Sequence, residues 1–171
     1  MSYIMCILCM VAVVIVDQIT KYCAVRYLMP IASFPIIKDV LHLTYVENRG
    51  AAFGMLQNHR WVFMIVSTVV MFVILFVMFK YKKYLHTIML IGLSFTVGGG
   101  VGNMIDRTLN GYVVDFVDFT LINFAVFNVA DTFITVGVGL IVLDILLKKS
   151  DLTFLDGDKS EKAECDEADT D

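Results

Sequence analysis

The 171-residue sequence lacks the motifs of several common enzyme classes. Its three histidines, His42, His59 and His86, are far apart and match no metal-ligand spacing such as HExxH. A GxSxG nucleophile elbow is absent, and the glycine-rich run 98–102 is not followed by the Lys-Ser/Thr of a phosphate-binding loop. The remaining candidate catalytic groups are carboxylates, and we predict no cofactor, no metal site and no nucleic-acid partner.

The sequence also predicts neither cysteine pairing nor a cleavable leader. Cys6, Cys9 and Cys23 lie in the first apolar segment and Cys165 lies in a polar one, so no disulfide framework is predicted. Cys6 and Cys9 form a CxxC, but they lack the βαβ context of a redox motif. The first apolar segment has neither a basic n-region nor a small-residue cleavage site, so we expect it to remain as a helix.

Apolar residues make up 58% of the chain, above the roughly 45–50% of soluble domains. A membrane span needs ~20 consecutive, mostly apolar residues. Four segments meet this requirement: about Tyr3–Leu28, Trp61–Phe79, Thr87–Ile105 and Ile122–Leu147. The sequence therefore predicts an all-α integral membrane protein with four transmembrane helices.

Charge divides the chain into two parts. Residues 1–149 carry eleven Lys/Arg against eight Asp/Glu, whereas residues 150–171 carry nine acids and two lysines. We predict a membrane domain over 1–149 and a disordered, acidic cytoplasmic tail over 150–171, because the tail has no apolar periodicity.

Lysines set the expected orientation, because cationic residues favour cytoplasmic loops. Three lysines lie in residues 80–84 and two more end the fourth segment, so we expect both termini in the cytoplasm. The long connection 29–60 is then extracytoplasmic, contains a predicted strand at Leu41–Val46, and is a candidate lid. Residues 107–121 form a second such connection, with a turn at Asn110-Gly111.

Polar residues converge at one depth of the predicted helices. Asp17 lies ~21 Å along the first helix from its cytoplasmic end, Asn103 ~24 Å along the third, and Asp131 ~25 Å along the fourth, at 1.5 Å per residue. Charged groups inside a span are costly and mark function by default. This layer predicts a functional site in the outer third of the bilayer.

Helical spacing pairs several of these residues. Asp17 and Lys21 are separated by four positions and are expected to form a largely structural ion pair. Asp115 and Asp131 have no base at helical spacing, and Asp115 is expected in the loop after the third helix. Two carboxylates close together share a proton unequally, so one can activate water while the other protonates the substrate.

Five blocks in this order resemble the lipoprotein signal peptidase family (signal peptidase II): Asp17–Lys21, Asn48–Phe53, Gly100–Arg107, Val113–Phe116 and Phe127–Asp131. The resemblance covers roughly residues 10–147. It implies a bacterial inner-membrane aspartyl endopeptidase that cuts diacylglyceryl-modified prolipoproteins before the lipidated cysteine. It also implies membrane lipids as surroundings and cyclic peptide antibiotics of the globomycin type as inhibitors.

The resemblance also implies residue roles. Asp115 and Asp131 match the family's catalytic pair. Positions that shape or support the family's site are matched by seven further residues: Asp17, Lys21, Asn48, Gly50, Asn103, Arg107 and Asn128.

Two other interpretations remain open at this stage. Buried acids also build ion and proton pathways, so a small membrane transport protein is the main alternative. A pathway should place acids across the full membrane depth, whereas Asp144 is the sole acid near the cytoplasmic ends of the predicted helices. A third interpretation is a structural membrane protein whose polar layer only fixes helix packing.

Overall fold

Four helices and a small sheet make up the computed structural model, which describes residues 1–50, 60–147 and 150. The helices are α1 (Tyr3–Cys23), α2 (Arg60–Lys80), α3 (Thr87–Leu109) and α4 (Val129–Leu146). A π-helical turn, Ala24–Leu28, continues α1, and short 3-10 turns occupy Lys82–Tyr84 and Thr120–Ile122.

Three helical segments are long and apolar enough to cross a membrane: Tyr3–Leu28, Thr87–Leu109 and Val129–Leu146. In α2 the corresponding apolar helix is shorter, Met64–Lys80. The chain is therefore mostly helical, as predicted, with three candidate spans among the residues described.

Small residues let α3 pack closely against its neighbours. A Cβ added at Gly92 would lie 2.7 Å from the carbonyl oxygen of Gly137 in α4, and one added at Gly99 would lie 2.5 Å from that of Ala130. Against α1, a Cβ added at Gly98 would lie 2.8 Å from Cβ of Val13. Such backbone contact is how helices associate in a bilayer, where apolar burial supplies little driving force.

The sheet is antiparallel, with the order β1 (Ser33–Ile37), β2 (Leu41–Asn48), β3 (Val113–Asp118). The predicted strand at 41–46 is confirmed and extends to Asn48. The predicted turn at Asn110-Gly111 is present, with Gly111 at φ 81°. The expectation that Asp115 lies in a loop is wrong, because it pairs with Val46 inside β3.

The start of α4 also differs from the prediction. The fourth segment was expected to be helical from Ile122, but α4 begins at Val129. Asn123 has a positive φ of 50°, which ends the preceding turn, and Phe127 pairs with Val117. Of the apolar residues before Asn128, Phe127 thus bridges to β3 and Ile122 ends a 3-10 turn, so neither belongs to α4.

Three predictions concern residues outside the described ranges. They are the lid over the connection 29–60, of which 51–59 are not described, the lysines at 148–149, and the acidic tail from 151 onward.

Two glycines of α4 test the close packing. Gly137→Ala should destabilise the protein by about 1–3 kcal/mol, because the new Cβ would lie 2.6 Å from both Gly92 O and Thr96 Oγ1. Gly139→Ala is the matched control, since nothing lies within 4 Å of its added Cβ, and alanine is the better helix former by about 1 kcal/mol. Thermal unfolding in detergent measures both, and equal melting temperatures would contradict the packing argument.

Candidate active site

Buried polar side chains cluster where one end of α1, α3 and α4 meets the sheet. Asp17, Asn103, Asp106, Asp115 and Asn128 are all at most 7% exposed. Buried polar groups are costly unless they are hydrogen-bonded. The contacts described below supply those partners.

Lys21 is the cation of this cluster. Its Nζ lies 2.9 Å from Asp17 Oδ2 and 3.1 Å from Asp106 Oδ2, and it donates a 2.8 Å hydrogen bond to Asn103 Oδ1. The expected Asp17–Lys21 pair therefore exists, but it is not isolated. A second carboxylate, from α3, shares the lysine.

The two carboxylates around Lys21 also hold backbone groups of other elements. Asp17 Oδ1 accepts from the Ala130 N–H at 2.9 Å, and Asp106 Oδ2 accepts from the Val114 N–H at 3.0 Å. The Gln18 side-chain amide lies between them, 3.2 Å from Asp17 Oδ2 and 3.1 Å from Asp106 Oδ1. This charge cluster joins α1, α3, the first turn of α4 and β3.

Asn128 connects the two candidate catalytic aspartates. Its side-chain Nδ2 donates to Asp115 Oδ1 at 2.7 Å, and its backbone N–H donates to Asp131 Oδ2 at 3.3 Å. The other oxygen of Asp131 accepts from Asn103 Nδ2 at 2.8 Å. One asparagine thus contacts both carboxylates.

Local sequence explains this geometry. Asn128 is the N-cap of α4, and its Oδ1 accepts from the Asp131 N–H at 3.0 Å. In return, Asp131 Oδ2 accepts from the Asn128 N–H. This reciprocal arrangement is a capping box, which satisfies two N–H groups of the first helical turn. Asp131 also lies where the helix dipole favours a negative charge.

Asp115 is oriented from the sheet side. Its Oδ2 accepts from Asn48 Nδ2 at 2.9 Å, and the Asn48 Oδ1 accepts from the Gly50 N–H at 3.0 Å. The Gly50 N–H therefore fixes which way the Asn48 amide points. Both oxygens of Asp115 consequently have an amide partner.

Charge and burial act together on Asp115. Burial removes water from its carboxylate and raises its pKa to about 6, the hydrogen bond from Asn48 opposes this, and the negative charge of Asp131 adds to the rise. Arg107 lies within electrostatic range of Asp131, Asp115 and Asp106. Two interacting carboxylates with a cation nearby can hold one proton between them.

All nine residues singled out in the sequence lie at this site. Sequence reasoning missed Gln18 and Asp106, although both lie inside the motif blocks. Helical spacing could have identified Asp106, because it is three positions from Asn103 and so shares its helix face. Within the described residues, no group of three or more His, Cys, Asp and Glu could hold a metal ion.

Comparison with known proteins gives a consistent assignment. The family model described as "Signal peptidase (SPase) II" matches residues 9–147. A lipoprotein signal peptidase of Brevibacillus brevis is 48% identical over 148 residues, covering 86% of this chain and 93% of that protein. One of Caldanaerobacter subterraneus subsp. tengcongensis is 52% identical over 136 residues, covering 78% and 90%.

Solved structures agree with the sequence matches. A bacterial membrane enzyme determined by the in meso method at 2.3 Å resolution is 36% identical, with a TM-score of 0.76, covering 86% of this chain and 91% of that one. A second, at 1.9 Å, has a TM-score of 0.72 and the same identity. Matched along most of its length in both sequence and fold, this chain belongs to the signal peptidase II family.

Proposed function

We propose that this protein is an intramembrane aspartyl endopeptidase acting on prolipoproteins that carry a diacylglyceryl group. It cuts on the amino side of the lipidated cysteine and so releases the signal peptide. The family membership supports a peptidase acting on prolipoproteins. The aspartyl mechanism rests on one observation, the contact of Asn128 with both Asp115 and Asp131.

In the proposed mechanism the two aspartates have different roles. Asp115 holds the proton, because burial and the neighbouring charge favour its neutral form. Asp131 is the charged member, accepting from Asn103 and from the Asn128 N–H. A protonated acid and an ionised base side by side can perform general acid–base catalysis.

Hydrolysis then proceeds without a covalent intermediate. Asp131 removes a proton from a water molecule as its oxygen attacks the scissile carbonyl carbon, and Asp115 protonates the carbonyl oxygen. When the C–N bond breaks, the proton held by Asp131 passes to the leaving amine. The proton on the carbonyl-derived oxygen returns to Asp115, which restores the starting state.

The neighbouring donors have supporting roles in this proposal. Arg107 binds a substrate carbonyl or ester oxygen through its charged hydrogen-bond donors. Asn48 and Asn128 orient Asp115, and Gly50 orients Asn48. Asp17, which is paired with Lys21, holds the first turn of α4, which carries Asp131.

We also propose the membrane arrangement. α2, with 21 residues, is ~31 Å long and joins the three candidate spans as a fourth. Both termini face the cytoplasm of a bacterial cell, because the lysine-rich connection 80–84 favours that side. The site then lies at the outer leaflet of the inner membrane, where a lipidated substrate and globomycin-type cyclic peptides reach it from the bilayer.

A matched pair of substrates tests the proposal. Purified protein should shorten a diacylated prolipoprotein and leave its unlipidated counterpart intact, as followed by gel shift and by mass spectrometry of the new N-terminus. A new terminus at the lipidated cysteine is expected. Cleavage of neither substrate would contradict the proposal and favour the transport interpretation.

Substitution of either aspartate tests the catalytic pair. Asp115→Asn and Asp131→Asn should each reduce turnover by more than about 100-fold, since each removes one member of the acid–base pair while keeping its shape. Folding is checked by thermal unfolding in detergent. Asp118→Asn is the control, because Asp118 lies in the same strand and contacts Thr44. Normal turnover in either variant rules out the two-aspartate mechanism.

The shared lysine leads to a stability prediction. Asp17→Asn should destabilise the protein while leaving measurable activity, because Lys21 keeps Asp106 as its second anion. The Asp17→Asn/Asp106→Asn double variant should lose more unfolding free energy than the two single variants together, because it leaves Lys21 buried without an anion. Breaking a buried ion pair costs about 3–5 kcal/mol. Additive melting-temperature losses, or full stability with lost activity in Asp17→Asn, would argue against this assignment.

The pH dependence follows from the pKa of Asp115. The proposed acid must carry its proton, so kcat/KM should fall as pH rises through a pKa of about 6 in the free enzyme. Bound substrate excludes more water, which raises this pKa further, so the corresponding fall in kcat should lie at higher pH. Initial rates from pH 4 to 9 measure both, and a kcat/KM that rises through pH 6 would reverse the roles of the two aspartates.

A further inference from the structure

A cluster of three lysines lies at the opposite end of the helices from the candidate site. Lys80 ends α2, Lys82 and Lys83 lie in the connection between α2 and α3, and we call the three the lysine surface. The Nζ atoms lie over aromatic rings, at 5.1 Å from the centroid of Phe76, 3.9 Å from Tyr3 and 4.6 Å from Tyr84, respectively. Lys80 and Lys83 are exposed.

No carboxylate in the described part of the chain compensates these lysines. None of the three forms an ion pair there. Asp144, a described acid near the end of α4, is fully buried and lies 3.6 Å from His86 Nδ1. Three like charges within four residues repel one another and attract an anionic partner.

The residue that precedes the acidic segment 151–171 lies at the same end of the helices as the lysine surface. Ser150 Oγ accepts a 2.8 Å hydrogen bond from the backbone N–H of His86, and His86 is only three residues beyond Lys83. The segment has nine acids and two lysines, a net charge of −7. A chain spans up to ~3.3 Å per residue, so acids within the first few residues already reach the lysines.

We propose that the acidic segment 151–171 docks on the lysine surface through ion pairs with Lys80, Lys82 and Lys83. A single exposed ion pair contributes little binding free energy. Several ion pairs on one tethered segment form at a high effective concentration, so together they can hold the segment. The docked segment neutralises a surface that otherwise attracts the anionic headgroups of the adjacent leaflet. The lysine surface lies away from the candidate site, so the proposal does not depend on the peptidase mechanism.

Protease protection of the full-length protein in neutral detergent tests the docking. At 50 mM NaCl, glutamyl endopeptidase should cleave within 151–171 at least threefold faster in the Lys80→Gln/Lys82→Gln/Lys83→Gln variant than in the wild type. In the wild type, 1 M NaCl should abolish the protection, because salt screens exposed charges. Lys38→Gln, which removes an exposed lysine from the sheet end, should leave the cleavage rate unchanged.

Carbodiimide cross-linking of the wild type gives a second readout that needs no variant. Mass spectrometry should find amide links from Lys80, Lys82 or Lys83 to acids of 151–171, and none to Lys38. Equal cleavage rates in wild type and triple variant, or links to Lys38 as frequent as to the cluster, would overturn the proposal. The proposal would also be overturned if Lys80, Lys82 and Lys83 were protected from amine-reactive labelling only in nanodiscs containing phosphatidylglycerol. That result would assign the surface to lipid headgroups.

Discussion

Asn128 contacts two carboxylates at once, and the rest of the site is arranged around those contacts. Its side chain binds Asp115, which lies in a strand, while its backbone N–H binds Asp131, which lies in a helix. Two carboxylates close together repel each other, so their proximity requires donors already oriented toward both. Asn48 and Asn103 supply the remaining donors, one for each aspartate.

The charge cluster around Lys21 stabilises this arrangement by binding the elements that carry the two aspartates. Asp17 binds the first turn of α4 through Ala130, and Asp106 binds the strand through Val114. The same lysine therefore holds the two elements that carry the aspartates. Glycines along α3 and α4 allow the helices to approach closely enough for these bonds, as the contact between Gly99 and Ala130 illustrates.

Much of this protein could be predicted from its sequence, because the membrane requirement is strict. Long apolar runs located the helices, and polar residues at one depth located Asp17, Asn103 and Asp131. The strand containing Asp115 and the late start of α4 could not be predicted in this way. Both depend on pairing with distant chain, Val46 with Asp115 and Phe127 with Val117, which local pattern does not reveal. Asp106 shares a helix face with Asn103, but its contact with Lys21 joins two helices and is not visible in the sequence of α3 alone.

The central claim is that Asp115 and Asp131 interact directly enough to share one proton. A 13C NMR titration of carboxyl-labelled protein in detergent measures this, with Asp115 assigned by its loss in Asp115→Asn. The negative charge of Asp131 contributes to the raised pKa of Asp115, so Asp131→Asn should lower the pKa of Asp115 from about 6. An Asp115 pKa that is the same with and without the Asp131 charge would contradict the account.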